Sequence, residues 1–351
     1  MKNRIFAIVT TAVLLLNVAG FAAGDTHGSK TGKRQSNALV TLLPASDGVA
    51  TFDAHRFFDA LPKVLAGNQP ILAKITAHLD EMESKTGIDL RKFDSVVVGV
   101  AYKRTTGKDD DIDAVAIARG QVKASSIVAV AKLASNGTYR EINVDGHTVY
   151  VFSMKEMAQK VAAHAADAKA PESVEKKVEA AVHEIAIASL DDNTFAIGSI
   201  KRVTETLEAK THVDADVTGL LGQRDADVMT FALKVPPGMS KMLPLDNDEL
   251  GANIDSIKFL FGSMDVSDAG ASLGVTARTV KPEQAQGLME TLDGLKMLGK
   301  AFLGKSKRAD QQAYARLIEN TKLSRVGTDV SLNLLVPQAD LNTLLGSIKM
   351  K

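Results

Sequence analysis

Large apolar side chains recur along this chain at two spacings, and each spacing marks a kind of element. Alternation with small or polar residues over Val49–Phe52, Ser95–Tyr102, Asp113–Arg119, Arg140–Val144, His147–Phe152, Glu184–Leu190 and Thr194–Ser199 predicts strands. Asp145-Gly146 joins two of these runs as a two-residue hairpin, and Asp191-Asp192-Asn193 joins another two. Steps of three and four predict helices. Phe57, Phe58, Leu61, Val64 and Leu65 make one; Ile71, Leu72, Ile75, Leu79 and Met82 make the next, which opens near Pro70 and closes at Gly87. Gln121–Ala134 and Ile200–Ala209 also read as helices.

Within the strands a finer pattern appears. Val115 and Ile117 alternate with Ala114, Ala116 and Ala118, Ile185 and Ile187 with Ala186 and Ala188, and Phe195 and Ile197 with Ala196 and Gly198. Taken strand by strand, this puts bulky side chains on one face and small ones on the other. The expected fold is α+β: a mainly antiparallel sheet with helices packed on one face and a shallow second face. Ala on that second face either tolerates partial exposure or forms a floor on which a ligand or partner lies.

The order of elements repeats. Val49-Ala50-Thr51-Phe52 resembles Val228-Met229-Thr230-Phe231, and each is followed by helical sequence, an Ile-Asp pair (Ile88-Asp89, Ile254-Asp255) and an apolar strand reaching Gly99 or Gly262. The later copy continues with a strand at Ala271–Arg278 and a helix at Pro282–Phe302, whose stripe is Ala285, Leu288, Met289, Leu292, Leu295 and Leu298. Tyr314, Leu317 and Ile318 add a short amphipathic stretch, and Leu323–Val336 gives a strand pair. Two tandem related halves are expected, residues 41–222 and 223–351. The first carries a helical insertion near 154–183, rich in Ala, Lys and Glu and broken at Pro171.

The first 24 residues change the setting. Lys2 and Arg4 precede an uncharged, mostly apolar run from Ile5 to Phe21, then the small residues Ala22, Ala23 and Gly24. That order is a secretory signal peptide, with an uncleaved membrane anchor as the alternative, and residues 25–40 read as a flexible linker. The expected home is periplasmic or secreted. Forty-two basic residues balance forty-two acidic ones, so the basic excess of a nucleic-acid binder is missing. The chain has no Cys, which excludes disulfides, thiolate nucleophiles and cysteine metal sites.

Candidate chemistry is thin. Asp53 and His55 are two apart on an expected strand, so they would point the same way and could share a metal ion; a surface His at a strand end is the simpler reading. Asp109, Asp111 and Asp113 have the spacing of the first ligands of a calcium loop, but Ala114 and Gly120 stand where its Gly and Glu belong. Asp246-Asn247-Asp248-Glu249 departs in the same way at Ile257 and better suits a helix N-terminus. His27, His78, His147, His164, His183 and His212 fit no metal-binding spacing. Asn136-Gly137-Thr138 reads as a helix end, and Lys300, Lys305, Lys307 and Arg308 as a basic cluster at another. No catalytic, cofactor-binding or metal residue is assigned, and no cofactor is expected.

The signal peptide, the Val-x-Thr-Phe strand, Gly87-Ile88-Asp89-Leu90 before an apolar strand and the two α+β halves together resemble exported bacterial proteins carrying domains of unknown function. The resemblance implies an extracytoplasmic home and brings no catalytic residues with it. The expected function is therefore non-catalytic binding of a cell-envelope partner or ligand through the sheet. The alternatives are a carrier holding an apolar ligand between sheet and helices, suggested by Met289 and Met297 on a Leu-rich helix, and a hydrolase with dispersed catalytic residues.

Overall fold

The computed structural model describes residues 38–103, 111–135, 137–153, 184–221, 227–238, 240, 248–267, 269–304 and 308–347. The expected signal peptide, residues 25–37 of the linker and the expected insertion at 154–183 lie outside the described residues. The elements run β1 (Gly48–Asp53), α1 (Ala54–Val64), α2 (Gln69–Thr86), a 3-10 turn (Leu90–Lys92), β2 (Phe93–Lys103), β3 (Asp111–Gly120), α3 (Ala124–Ala134), β4 (Tyr139–Val144) and β5 (His147–Ser153). They continue with β6 (Glu184–Asp191), β7 (Thr194–Gly198), α4 (Ile200–Glu208), α5 (Ala215–Leu221), β8 (Met229–Lys234), α6 (Asp248–Asp255), β9 (Ile257–Ser267) and β10 (Gly270–Thr279). The last are α7 (Pro282–Leu303), α8 (Ala309–Asn320), β11 (Lys322–Val326), β12 (Asp329–Pro337) and α9 (Gln338–Ser347). The fold is α+β, with antiparallel strand pairing.

The described chain forms two compact units. The first takes residues 38–55 and 75–214, the second 56–74 and 215–347, so α1 from Arg56 onward and the start of α2 belong with the second.

In the first unit the strand order is β1-β2-β3-β7-β6-β5-β4. The Asp145-Gly146 turn closes β4 on β5 with both residues at positive φ (47° and 83°), the backbone a two-residue hairpin needs. Register decides which side chains share a face. Ile117 lies opposite Val97 and Ala196, and Ala196 opposite Ala188; Gly198 lies opposite both Val115 and Ala186. The bulky row of β3 thus continues as the small row of β7 and β6, and the small Ala116 continues as Ile197 and Ile187. Small residues do not collect on one open face. Ala186, Ala188 and Ala196 are fully buried, and α4, with its own buried Val203, packs on β5, β6 and β7. A Cβ added at Gly198 would fall 2.8 Å from the Val115 Cα, so the close approach of β7 and β3 requires glycine there. Helix α3 meets a different row: Lys132 lies over the rings of Tyr139 and Tyr150 and pairs with Glu141 at 3.2 Å.

In the second unit the order is β11-β12-β10-β9-β8. Helix α7 begins with Pro282, whose missing N–H costs nothing at a first turn, and Gln284 accepts a 2.9 Å hydrogen bond from the Lys281 N–H. Its first half seats Ala285 and Leu288 against Ala277 and Val330, with Ile257, Leu260, Met289 and Leu292 around them. Burying those side chains contributes roughly 1.5–3 kcal/mol for each large one. Helix α8 runs beside α7, and a twelve-residue helix replaces the short stretch expected around Tyr314. Helix α1 is tied into this unit by Arg56, 3.2 Å from Asp265, and the loop after it by Asn68, which donates 2.8 Å to Asn342 of α9.

Candidate functional site

The residues that the sequence brings forward do not converge. Strand β1 ends at Asp53 and α1 starts at Ala54, so His55 stands exposed in the first helical turn. The two-residue period that would have aimed Asp53 and His55 together does not apply across that boundary. His78 is exposed on α2, 4.0 Å from Glu81; His147 opens β5 with Nδ1 3.3 Å from the Ser189 carbonyl; His212 is exposed between helices. Among the described residues no group of three or more His, Asp or Glu could hold a metal ion. Asp111 and Asp113 lie in β3 and Asp248 opens α6, while Asp109, Asp246, His27, His164 and His183 lie outside the described residues. Gly137 follows α3 at φ 75° and donates to the Lys132 carbonyl, which makes it a helix cap. In the basic cluster, Lys300 pairs with Glu319 at 2.7 Å and Arg308 with Asp310 at 2.6 Å; Lys305 and Lys307 lie outside the described residues.

A cleft of about 720 Å³ opens instead in the second unit, lined by Asp293 and Lys296 of α7, Glu319 and Asn320 at the end of α8, Thr321 that caps it, Lys322 and Leu323 of β11, and Leu335 of β12. Its shape follows from the chain path. Helix α8 stops where the Thr321 N–H and hydroxyl turn back to the Leu317 carbonyl, at 3.0 and 2.8 Å, and β11 leaves at once along the sheet edge. Lys296 donates to the Thr321 carbonyl and holds α7 against that corner. Lys300 holds Glu319 from the same helix, and this hydrogen bond keeps the Glu319 carboxyl below its ordinary range, so it is ionised at neutral pH.

The lining thus offers two ammonium groups, two carboxylates and two leucines. Lys322 is exposed and has no ion pair among the described residues. The hydroxyl in the lining, on Thr321, gives its proton to a main-chain carbonyl, so it is not paired with a base as a nucleophile must be. The arrangement presents charge of both signs and apolar surface to the same space. No single motif marks it, because its residues come from the middle of α7, the end of α8 and the two strands β11 and β12.

A second surface lies on another flank of α7. Leu295, Leu298 and Phe302 are 48, 56 and 80% exposed, continuing along the helix past the part that the sheet buries. Among the described residues no helix is long and apolar enough to cross a membrane.

The fold and cleft define an α+β protein of antiparallel strands with a ligand-sized cleft at a sheet edge. No protein-family model matches the chain, and no curated protein matches it significantly. Among solved structures it is similar to TP0453 of Treponema pallidum. Crystal form III aligns over 88% of this chain and 98% of that one, at 8% identity and a TM-score of 0.42. Form IV aligns over 88% and 96%, at 9% identity and 0.41. Likeness at this level carries no function across.

Proposed function

We propose that the chain is an exported, non-catalytic binding protein that takes a small amphipathic molecule with an anionic group into the cleft of its second unit. The cleft itself carries the reading. Its volume falls inside the range of small-molecule sites, roughly 300–1,000 Å³. Leu323 and Leu335 offer apolar contact, and Lys322 and Lys296 offer cations to an acid group, with Asp293 and Glu319 setting a limit on how much negative charge is tolerated. Binding through a small-residue sheet face is less well supported, since Ala186, Ala188 and Ala196 already sit under helix. The signal-peptide pattern at residues 1–24 supports export. The strand, helix, strand, strand order of β1–β3 and of β8–β10 supports reading the halves as related.

Native mass spectrometry of protein purified from the culture or periplasm tests the reading. A co-purified small molecule is expected, lost when Leu335→Glu and Lys322→Glu are combined. An identical bare mass for both proteins, with no ligand recovered by organic extraction, would overturn it.

A further inference from the structure

We infer that the ligand of the cleft is a short apolar peptide with free termini, its amino end on Asp293 and its carboxyl end on Lys322. This rests on the reading of the cleft as a binding site, and narrows its ligand from an anionic amphiphile to a zwitterion. The charged side chains of the lining divide into two pairs. Lys296 and Glu319 are engaged within the wall: the first donates to the Thr321 carbonyl, and the second accepts from Lys300 at 2.7 Å. Asp293 and Lys322 are exposed and have neither an ion pair nor a hydrogen bond among the described residues. The cleft therefore presents one uncommitted carboxylate on α7 and one uncommitted ammonium on β11. A ligand carrying an acid group alone satisfies Lys322 and leaves Asp293 without a partner. A ligand carrying an ammonium as well satisfies both through charge-assisted hydrogen bonds.

Three features select a peptide among zwitterions. First, Leu323 of β11 and Leu335 of β12 line the same space, so the stretch of ligand between its two charges meets apolar side chains. Second, a volume of about 720 Å³ lies well inside the range of drug-sized ligands. It suits the bulk of roughly two to four residues better than that of one amino acid. Third, β11 ends the strand order and pairs with β12 alone among the described residues. Alternate main-chain N–H and C=O groups of an edge strand point away from its neighbour, so an extended peptide laid along the edge adds hydrogen bonds that no other small zwitterion offers. At five residues, Lys322–Val326, the strand has room for a short partner only.

Isothermal titration calorimetry of the purified chain with dileucine and its two blocked forms is the test. Dileucine is expected to bind, and N-acetyl-dileucine and dileucine amide each to bind roughly fivefold more weakly, the worth of one charge pair at a partly exposed site. In Asp293→Asn, dileucine should fall to the affinity of its acetylated form, and the acetylated form should be unchanged. In Lys322→Gln the same should hold for dileucine and its amide. Both positions are exposed, so both variants should keep the circular dichroism of the parent. A variant that weakens all three ligands alike overturns the inference, because a general disturbance of the cleft would do that. Equal binding of dileucine and its acetylated form by the parent overturns it too. Decanoate, an anionic amphiphile without an ammonium, separates this inference from the reading beneath it. A chain that binds decanoate and no dileucine overturns the peptide and leaves the cleft reading standing; a chain that binds neither overturns both.

Discussion

Arg202 of α4 donates a 2.6 Å hydrogen bond to the Ser46 hydroxyl, 156 residues earlier, and both side chains are buried. The same guanidinium meets Glu205 at 2.6 Å, while its Nε has no hydrogen-bond partner. A buried cation held at two of three nitrogens is sensitive to the loss of its carboxylate. Glu205→Ala should therefore destabilise the chain by about 3 kcal/mol, because the charge stays buried without compensation. Arg202→Met, which removes the charge and keeps much of the volume, should cost less, even though Ser46 keeps only its bond to the Pro44 carbonyl. Urea unfolding of both variants at neutral pH checks the order; the reverse order would contradict the assignment.

Ala186→Asp should behave as a folding lesion and not as a binding lesion. Ala186 is fully buried opposite Gly198, so a carboxylate there has neither water nor partner, at about 4 kcal/mol or more. Loss of the cooperative thermal transition in circular dichroism is the expected result. A native-like variant that merely loses a partner would restore the sheet face as a binding surface.

That position also shows where the sequence was legible and where it was not. Alternation placed β2, β3, β6 and β7 within a residue or two, and Asp145-Gly146 gave its hairpin outright, because both signals are local. Which strand lies beside which, and in what register, is not local. Ile117 and Ala196 each belong to a clear pattern, yet only pairing shows that they share a row. The cleft was illegible for the same reason: Lys296, Thr321 and Leu335 have no common spacing. Whether Asp53 and His55 share a face depended on where β1 ends, and boundaries are the least certain feature of any pattern; His55 is exposed at the strand-to-helix junction. The Leu-rich stripe of α7 was visible, but not that Leu295 and Leu298 in its second half would be exposed among the described residues.

Acid should loosen the first unit at a defined place. Arg91 hydrogen-bonds Asp89 at 2.7 Å, Asp80 at 2.8 Å and Glu83 at 2.9 Å, tying α2 to the turn before β2. Burial pushes the Asp89 carboxyl up, and the hydrogen bonds from the Arg91 side chain and main chain outweigh it, leaving the folded group below its ordinary range. A lowered folded value means that this contribution is complete above the ordinary carboxylate range. It is lost as the pH falls through the folded value. Stability measured by urea unfolding should decline with acid in the parent and decline less in Asp89→Asn; equal slopes would contradict the pairing.

Export should leave a mature N-terminus at or just after Ala22–Gly24, read by N-terminal sequencing of the periplasmic or secreted protein. Intact chain beginning at Met1 in the cell interior would contradict it.

The cleft is tested most directly by titrating the purified chain with 1-anilinonaphthalene-8-sulfonate, an anionic amphiphile whose emission is unobscured in a protein without Trp. Saturable one-site binding is expected, weakened at least tenfold by Leu335→Glu with Lys322→Glu and unchanged by Phe302→Asp. Binding that survives the cleft substitutions intact, or that disappears with Phe302→Asp alone, would contradict the account.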